Sequence, residues 1–176
     1  KCAWVCEYYA ENAEHQIKTE LIPTDASISR IHYEPLGTIL GIMPWNFPFW
    51  QVFRFLAPAL MAGNTALLKH ASNVQGCAEH IQNIIREAGF PENVFNILIL
   101  GSDKLKEVIE NENVNAVTLT GSESAGSSVA AAAGKFIKKS VLELGGNNAF
   151  IVLEDANIDQ AIDEAITARF LNCGQS

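Results

Sequence analysis

The segment TILGIM, residues 38–43, indicates the fold class most directly. It is a short, uncharged apolar run with β-branched side chains, which is typical of a strand that is buried on both faces of a sheet. Five further runs of this kind follow it along the chain: TALLK (65–69), NILIL (96–100), AVTLT (116–120), SVLEL (140–144) and AFIVL (149–153). We therefore predict six buried strands in a mostly parallel sheet.

Helical patterns lie around and between these runs. The clearest is an apolar stripe that ends at Gly89 and is followed by Pro91, a combination that commonly ends a helix. The members of the four helical patterns are Cys77, Ile81, Ile84, Ile85 and Ala88; Val5, Tyr9, Ala13 and Ile17; Leu105, Val108 and Ile109; and Ala161, Ile162, Ala165, Ile166 and Phe170. Strands that alternate with helices predict right-handed βαβ units. The predicted fold class is α/β, with a Rossmann-like, mostly parallel sheet flanked by helices.

Residues 20–35 follow neither pattern. Ile28, Arg30 and His32 alternate with Ser27, Ser29 and Ile31. Alternation with a period of two predicts an extended segment. We expect this excursion to pair with a segment that lies outside the chain.

The amino-acid composition is that of a globular protein and argues against nucleic-acid binding and membrane association. A chain of 176 residues with 48% hydrophobic and 18% charged residues is typical of a globular domain rather than a disordered protein. Its 12 basic and 20 acidic residues give a formal net charge of −8, which argues against nucleic-acid binding but leaves room for a local anion site. The apolar stretches are shorter than the ~20 residues of a membrane span, so we expect no membrane association.

Cysteine and histidine usage favours a reducing compartment, and we expect a cytoplasmic protein. The four cysteines form no CxxC pair and no disulfide-dense pattern. Cys2 and Cys6 share a helix face, where buried core thiols are more common than metal ligands. The four histidines are scattered along the chain, so we predict no metal site.

Polar residues and glycines follow the predicted strands, at the edge where open α/β sheets bind ligands. They are Pro44, Trp45 and Asn46 after the first run; Lys69, His70 and Ser72 after the second; Gly101 after the third; Gly121, Ser122 and Gly126 after the fourth; and Glu143, Leu144 and Gly145 at the fifth. Taken singly, each has two interpretations. The turn at Gly121 opens an alanine-rich helix whose N-terminus suits a phosphate, yet a capped and tightly packed helix has the same sequence.

The polar side chains at this edge are equally open to two interpretations. Lys69 suits a ribose or phosphate, or it is a solvated lysine at a strand end. Asn46 suits an oxyanion, or it is a turn residue between two prolines. Glu143 is placed for a general base, or it is a surface acid on an edge strand.

The order of these motifs is more specific than any one of them. PWNFP, a strand with Lys69, TGS, ELGG and FLNCGQS, in this order, resemble the aldehyde dehydrogenase superfamily over essentially the whole chain. The segments PLGTILGIMPWNFPFWQVFRFLAPALMAGN and LLKHASNVQGCA most resemble its bacterial succinate-semialdehyde dehydrogenase branch. The chain is well under half the usual length of that family, so the resemblance implies a partial aldehyde dehydrogenase fold.

The resemblance also implies a domain organisation. Residues 1–19 would be a helix of the cofactor domain, and residues 20–35 would resemble the oligomerisation strands. Residues 36–142 would be the NAD(P)-binding domain. Residues 143–176 would begin a catalytic domain that this chain does not complete. The parent enzyme would be a homo-oligomer.

Residue roles follow from the same resemblance. Asn46 would donate to the oxyanion of a thiohemiacetal, and Glu143 would activate the water that hydrolyses the thioester. The cofactor would be NAD or NADP. Lys69 would bind the adenosine ribose, Ser122 the pyrophosphate, and Leu144 and Gly145 would lie near the nicotinamide, with His70 near the adenosine pocket. The other cofactor contacts would be Ile42, Pro44, Trp45, Ser72, Gly101, Gly121 and Gly126.

Ser72 bears on the choice of cofactor. Many family members have Lys-Pro-Ser/Ala-Glu where this chain has Lys69-His70-Ala71-Ser72. A carboxylate ~4 Å from a 2′-phosphate costs about 4 kcal/mol per charge pair at an effective dielectric constant near 20. Because Ser72 removes that repulsion, we expect NADP to be used as well as NAD.

The nucleophile motif of the family is incomplete here. Phe170, Asn172, Gly174 and Gln175 match it, Ser176 fills its last variable place, and the cysteine would come next. Cys173 occupies a variable place, and we expect its thiol to pack inward.

We therefore expect an inactive fragment of an NAD(P)-dependent enzyme that oxidises a small aldehyde, in particular succinate semialdehyde. Another short aldehyde is a further possibility. The alternative is a nucleotide-binding or subunit-pairing remnant without catalysis.

Overall fold

The computed structural model of the chain describes residues 1–175. Its helices and strands are α1 Cys2–Gln16, β1 Glu20–Leu21, β2 Arg30–Ile31, β3 Thr38–Met43, α2 Trp50–Met61, β4 Thr65–His70, α3 Gln75–Glu87, β5 Phe95–Ile97, α4 Leu105–Glu110, β6 Val114–Thr120, α5 Glu123–Lys135, β7 Lys139–Glu143 and α6 Ile158–Phe170. The chain divides into two compact units, Lys1–Leu144 and Gly145–Ser176. The predicted α/β class is confirmed.

The central sheet has five strands in the order β5-β4-β3-β6-β7, and every neighbouring pair is parallel. The chain runs outward from β3 through β4 to β5, then returns to the other side of β3 with β6. The strand order therefore reverses between β3 and β6. Such a reversal opens a crevice beyond the carboxyl ends of the two strands, where open α/β sheets bind ligands.

Period-two alternation divides the hydrophobic core between the two faces of the sheet. On one face Met43 packs with Leu68 and with Leu56 of α2. On the other face Leu40 packs with Leu119 and with residues of α4 and α5. Each fully buried leucine contributes about 1.5–3 kcal/mol relative to an exposed one, so both faces contribute to the stability of the sheet.

The predicted helices are present, and the structure adds α2, which the sequence patterns did not single out. α1 buries Val5 and Ala13, and Cys2 and Cys6 of the same helix pack against the core as free thiols. Burial raises the pKa of the Cys6 thiol, and the nearby Cys2 and Glu7 raise it further. Within residues 1–175, no helix combines the length and apolarity needed to cross a membrane.

Three predicted strands differ from the structure, and one of them, SVLEL, forms β7 but is mostly exposed rather than buried. NILIL forms a strand only at its start, since β5 ends at Ile97. AFIVL forms no strand: residues 149–153 have no regular structure, and the Ile151 side chain is 78% exposed. A strand needs a neighbour for its backbone hydrogen bonds, and no described strand pairs with this run.

The excursion at residues 20–35 pairs with itself. β1 and β2 are antiparallel, with Glu20 opposite Ile31 and Leu21 opposite Arg30. Each of these two strands keeps a free edge, and the expected pairing with a segment outside the chain stays a prediction. Their side chains are exposed, and Leu21 is 77% exposed.

Candidate active site

The crevice between β3 and β6 brings several predicted residues to one edge of the sheet. Ile42 of β3 lies opposite Lys69 of β4 on one side and opposite Leu119 of β6 on the other. β3 then leads into the loop of residues 44–48, and β6 leads into the turn at Gly121. Three segments that are distant in sequence therefore meet at the predicted ligand edge.

One face of this edge carries a cavity of about 470 Å³, which we call the lysine cavity. Its lining residues are Ile42, Lys69, Ser102, Leu105, Lys106, Ile109, Leu119, Ala125, Ser128, Val129 and Ala132. The walls are mostly apolar, two lysines and two serines lie among them, and no carboxylate does. Lys69 forms no ion pair with any described residue. Such a cavity suits a planar apolar group that carries an anionic substituent.

The N-terminus of α5 lies at the same edge. The Ser122 hydroxyl accepts a hydrogen bond from the Ala125 N–H at 3.3 Å, so Ser122 is the N-cap. The turn therefore forms the capped helix that the sequence also allowed, and its positive dipole end is available to an anion. A Cβ atom on Gly126 would lie 2.5 Å from Cδ2 of Leu144, so close packing alone accounts for this glycine.

The other face of the edge carries charged side chains. Glu143 ends β7, and its carboxylate lies 3.5 Å from the Arg54 guanidinium of α2. Arg54 also donates to the Thr120 hydroxyl at 3.2 Å. All three line a cavity of about 240 Å³, which we call the carboxylate cavity; the other lining residues are Met43, Gln51, Phe55, Thr118 and Val141. The Glu143 side chain is 55% exposed and the Arg54 side chain 37%. Solvent therefore screens the ion pair, and the carboxylate remains accessible to water.

Sequence reasoning missed Arg54. It is the one charged residue of α2, within the otherwise neutral segment WQVFRFLAPALM. A lone cation in an apolar helix is the signal that singles it out, because an unpaired charge on a packed face requires a partner.

Asn46 lies in the loop of residues 44–48, between β3 and α2. Its side chain is partly buried, and its Oδ1 atom is buried without a hydrogen-bond partner among residues 1–175. The loop instead satisfies its backbone through the Phe47 carbonyl, which accepts from the Gln51 N–H at 3.0 Å. The Asn46 N–H₂ group donates to no described residue, so it is available to a ligand, whereas Oδ1 is an acceptor left without a donor.

His70 does not line the lysine cavity, and its expected place near the adenosine pocket stays a prediction. Its side chain is 1% exposed, with Nε2 2.9 Å from the Pro48 carbonyl oxygen and Nδ1 3.0 Å from the Ala71 nitrogen. The reason is the pleat: Lys69 lines the lysine cavity, so its neighbour points to the opposite face of β4.

The remaining predicted cofactor residues lie at loops of the same edge. Ser72 and Gly101 are exposed at the starts of two short 3-10 turns, and Trp45 is exposed beside the partly buried Pro44. Gly145 is the first residue of the second unit and is exposed.

In the second unit, α6 begins at the N-cap Asn157, whose side chain accepts from the Gln160 N–H at 3.2 Å. Cys173 follows the helix with a φ of 50° and is exposed, so the expectation that it packs inward is wrong. It lies in a turn beyond α6, and α6 has no buried residue to form a core around it. Ser176, the last place of the predicted nucleophile motif, lies outside the described residues.

Cavity size alone does not identify the site. A cavity of about 510 Å³ lies at the opposite, amino edge of the sheet, where it is lined by Thr38, Thr65 and Asn113 among others. The amino edge is not where open α/β sheets bind ligands. No three His, Cys, Asp or Glu side chains within residues 1–175 are grouped to hold a metal ion.

Comparison with known proteins assigns the family. The model of the aldehyde dehydrogenase family matches residues 1–176. A probable succinate-semialdehyde dehydrogenase [NADP(+)] of Synechocystis sp. is 58% identical over 176 residues, which are all of this chain and 39% of that protein. Succinate-semialdehyde dehydrogenase [NADP(+)] 1 of Mycobacterium tuberculosis is 51% identical over 181 residues, again covering all of this chain and 39% of the relative.

Solved structures agree with the family assignment. Succinic semialdehyde dehydrogenase from Streptococcus pyogenes in complex with NADP+ superposes with a TM-score of 0.94 and 38% identity, over 99% of this chain and 38% of the other. PnpE in complex with nicotinamide adenine dinucleotide gives a TM-score of 0.89 and 33% identity, over 99% and 36% of the two chains. The present chain spans about two fifths of the length of these curated relatives. On the family match and on this fold, the chain belongs to the aldehyde dehydrogenase family.

Proposed function

We propose that this chain supplies the NAD(P) site and two catalytic groups of an aldehyde dehydrogenase that oxidises succinate semialdehyde. One observation carries the proposal: the crevice between β3 and β6 has a lysine cavity on one face and the carboxylate of Glu143 on the other. A dehydrogenase needs both a cofactor site and an acid–base group at one place.

The lysine cavity fits the adenosine end of a dinucleotide. Its apolar walls suit the adenine ring, Lys69 is free to donate to the ribose or its phosphate, and the N-terminus of α5 suits the pyrophosphate. When bound, the nicotinamide accepts a hydride from the substrate. Lys69 and Lys106 on the wall, with no carboxylate among the described lining residues, support the use of NADP as well as NAD.

Asn46 and Glu143 are the proposed catalytic residues. The uncommitted Asn46 amide donates to the oxyanion that forms when a nucleophile adds to the aldehyde carbonyl. Glu143 takes a proton from the water that releases the acid product, and its partial exposure supports this role because water reaches the carboxylate.

Arg54 supports a substrate with its own carboxylate. Succinate semialdehyde carries an aldehyde at one end and a carboxylate at the other, so its site needs a cation. Arg54 lies on the wall of the carboxylate cavity, where its guanidinium holds Glu143 only through a screened contact at 3.5 Å. A bidentate guanidinium–carboxylate pair with the substrate is stronger than that contact.

The 176-residue chain by itself is proposed not to oxidise aldehydes. Cys173 is exposed in a turn of the second unit and occupies a variable place of the nucleophile motif. The exposed side chains of β1 and β2 support assembly of the whole enzyme into homo-oligomers.

The test uses a hybrid enzyme in which this chain replaces the matching 39% of the Synechocystis relative. We expect the hybrid to oxidise succinate semialdehyde with NADP, and the isolated chain to bind NADP without turnover. Arg54→Gln in the hybrid is expected to raise KM for succinate semialdehyde at least tenfold, that is by ~1.4 kcal/mol or more. An uncharged aldehyde of similar length is the control, and its KM should not change.

Two outcomes contradict the proposal. A folded hybrid without aldehyde oxidation would overturn the enzyme assignment. An equal rise in KM for the charged and the uncharged aldehyde would retain the enzyme but overturn the role of Arg54, and with it the argument for a semialdehyde.

A further inference from the structure

We propose that His70 is a positioning residue for Asn46, because its ring fastens the loop of residues 44–48 to the carboxyl end of β4. The inference rests on the proposed role of Asn46 and assigns a function to a residue outside the cofactor and catalytic sites. His70 belongs to the interior: its side chain is 1% exposed.

The hydrogen bonds of the ring place a hydrogen on Nε2. A carbonyl oxygen can only accept, and the neighbour of Nε2 is the Pro48 carbonyl oxygen. Nε2 therefore carries the hydrogen and donates to the Pro48 carbonyl at 2.9 Å. The Ala71 N–H is 3.0 Å from both Nδ1 and the Met43 carbonyl oxygen, which share it, and Nδ1 lies 3.2 Å from that oxygen. Both ring nitrogens are thus engaged within the fold.

The loop needs an external anchor. Pro44 and Pro48 have no backbone N–H, so two of its five residues cannot donate to the rest of the loop. The ring of His70 lies against the carbonyls of Met43 and Pro48, which flank Asn46 on its two sides. Fixing both flanks fixes the backbone that carries the Asn46 amide.

The same anchor orients the start of α2. The Phe47 carbonyl accepts from the Gln51 N–H and the Phe49 carbonyl accepts from the Phe53 N–H, and Pro48 directly precedes Phe49, the N-cap of α2. Loosening the loop therefore also loosens the base of the helix that carries Arg54. A misplacement on the order of 1 Å at an oxyanion donor is enough to lower the rate by ~10²-fold.

The first test uses the purified 176-residue chain and two substitutions. His70→Phe keeps a planar ring of similar size and removes both hydrogen bonds, whereas His70→Gln restores a side-chain donor near the Pro48 carbonyl. We expect His70→Phe to speed amide hydrogen exchange about tenfold at Gln51 and Phe53, whose N–H groups donate to the Phe47 and Phe49 carbonyls, and His70→Gln to restore part of the protection. His15→Gln, on the exposed side of α1, is the control and should change nothing.

The second test measures the tautomer and the rate. In ¹⁵N NMR spectra of the native chain we expect the His70 ring to carry its hydrogen on Nε2. In the hybrid enzyme, His70→Phe should lower kcat about tenfold while KM for NADP stays within about twofold, and His70→Gln should recover activity.

Several results would overturn the inference. One is a His70 ring with its hydrogen on Nδ1 alone. Another is unchanged amide hydrogen exchange in both variants. The third is faster amide exchange with an unchanged kcat, which would mean that His70 holds the loop without affecting Asn46. If the hybrid is inactive with native His70, the proposed function fails, while exchange and the tautomer still decide whether His70 holds the loop. If His70→Phe does not fold, His70→Gln supplies the same comparisons with a smaller expected effect.

Discussion

The two faces of the sheet at its carboxyl edge differ in chemistry although the same strands form both. One face presents Ile42 and Lys69 to the mostly apolar lysine cavity. The other presents Met43 and Glu143 to the carboxylate cavity, with Arg54 on its wall. Adjacent residues of one strand therefore belong to different sites, because side chains alternate between faces with a period of two.

This difference shows how one short edge separates cofactor binding from acid–base chemistry. An apolar wall that carries Lys69, which forms no ion pair with a described residue, favours an anionic dinucleotide. A glutamate held by one screened contact is able to accept a proton from water. If the separation is real, substitutions on one face should change one function and leave the other intact.

The largest expected effect comes from Glu143→Gln in the hybrid enzyme. Removal of a general base lowers the rate by about 10²–10⁴-fold, so kcat for the aldehyde should fall by that factor. NADP affinity should not change, because Glu143 does not line the lysine cavity. Steady-state kinetics and a fluorescence titration with NADPH measure the two quantities. A parallel loss of NADPH affinity would break the division between the faces.

The next largest effect is expected from Asn46. Replacing it with alanine removes one oxyanion donor and should lower kcat by about 10²–10³-fold. Asn46→Asp keeps the shape but replaces the N–H₂ group with an acceptor, so it should be at least as damaging. Rapid-mixing measurement of NADPH formation distinguishes this loss from slower product release. An active Asn46→Asp enzyme would contradict the assigned role.

A smaller effect is expected from packing on the cofactor face. Gly126→Ala places a Cβ atom 2.5 Å from Cδ2 of Leu144, the end of a side chain that is 42% exposed and can turn away, so the cost should lie at the low end of the about 1–3 kcal/mol of overpacking. Urea unfolding of the chain measures the loss. Leu144→Ala in the same chain should recover part of it, since it removes the atoms that clash. Additive effects of the two substitutions would show that the contact does not explain the glycine.

The smallest effect is expected from Lys69→Met. The loss of one cation should weaken NADP binding about tenfold at low salt and less at high salt, since exposed charges are screened. NAD affinity should fall less, because NAD lacks the 2′-phosphate. Lys106→Met is the matched variant: Lys106 lines the same cavity, but its ammonium lies 3.8 Å from the Glu110 carboxylate, whereas Lys69 has no such partner among the described residues. A Lys69→Met enzyme with native NADP affinity and a reduced kcat would contradict the assignment of Lys69 to cofactor binding.

Much of the fold could be predicted from local patterns. TILGIM, TALLK, AVTLT and SVLEL carry their strand signal in the run itself, and each has a parallel neighbour in the sheet. AFIVL has the same composition and forms no strand, because strand formation also depends on a partner that composition does not report.

The candidate site was less predictable. Lys69, His70 and Glu143 all lie at the ligand edge as the motif order implied, but His70 faces away from the lysine cavity, because a motif gives positions in sequence and the pleat decides the face. Arg54 was missed because its importance comes from Glu143, which is distant in sequence and meets it only across the sheet face. Contacts of that kind follow from topology rather than from local pattern.

The most direct test of the two-face account is a titration of the purified 176-residue chain with NADPH, followed by energy transfer from tryptophan to the bound nicotinamide. The account predicts saturable binding that Glu143→Gln leaves unchanged and Lys69→Met weakens about tenfold. Absence of saturable binding by a folded chain, or binding that Glu143→Gln weakens and Lys69→Met does not, would contradict it.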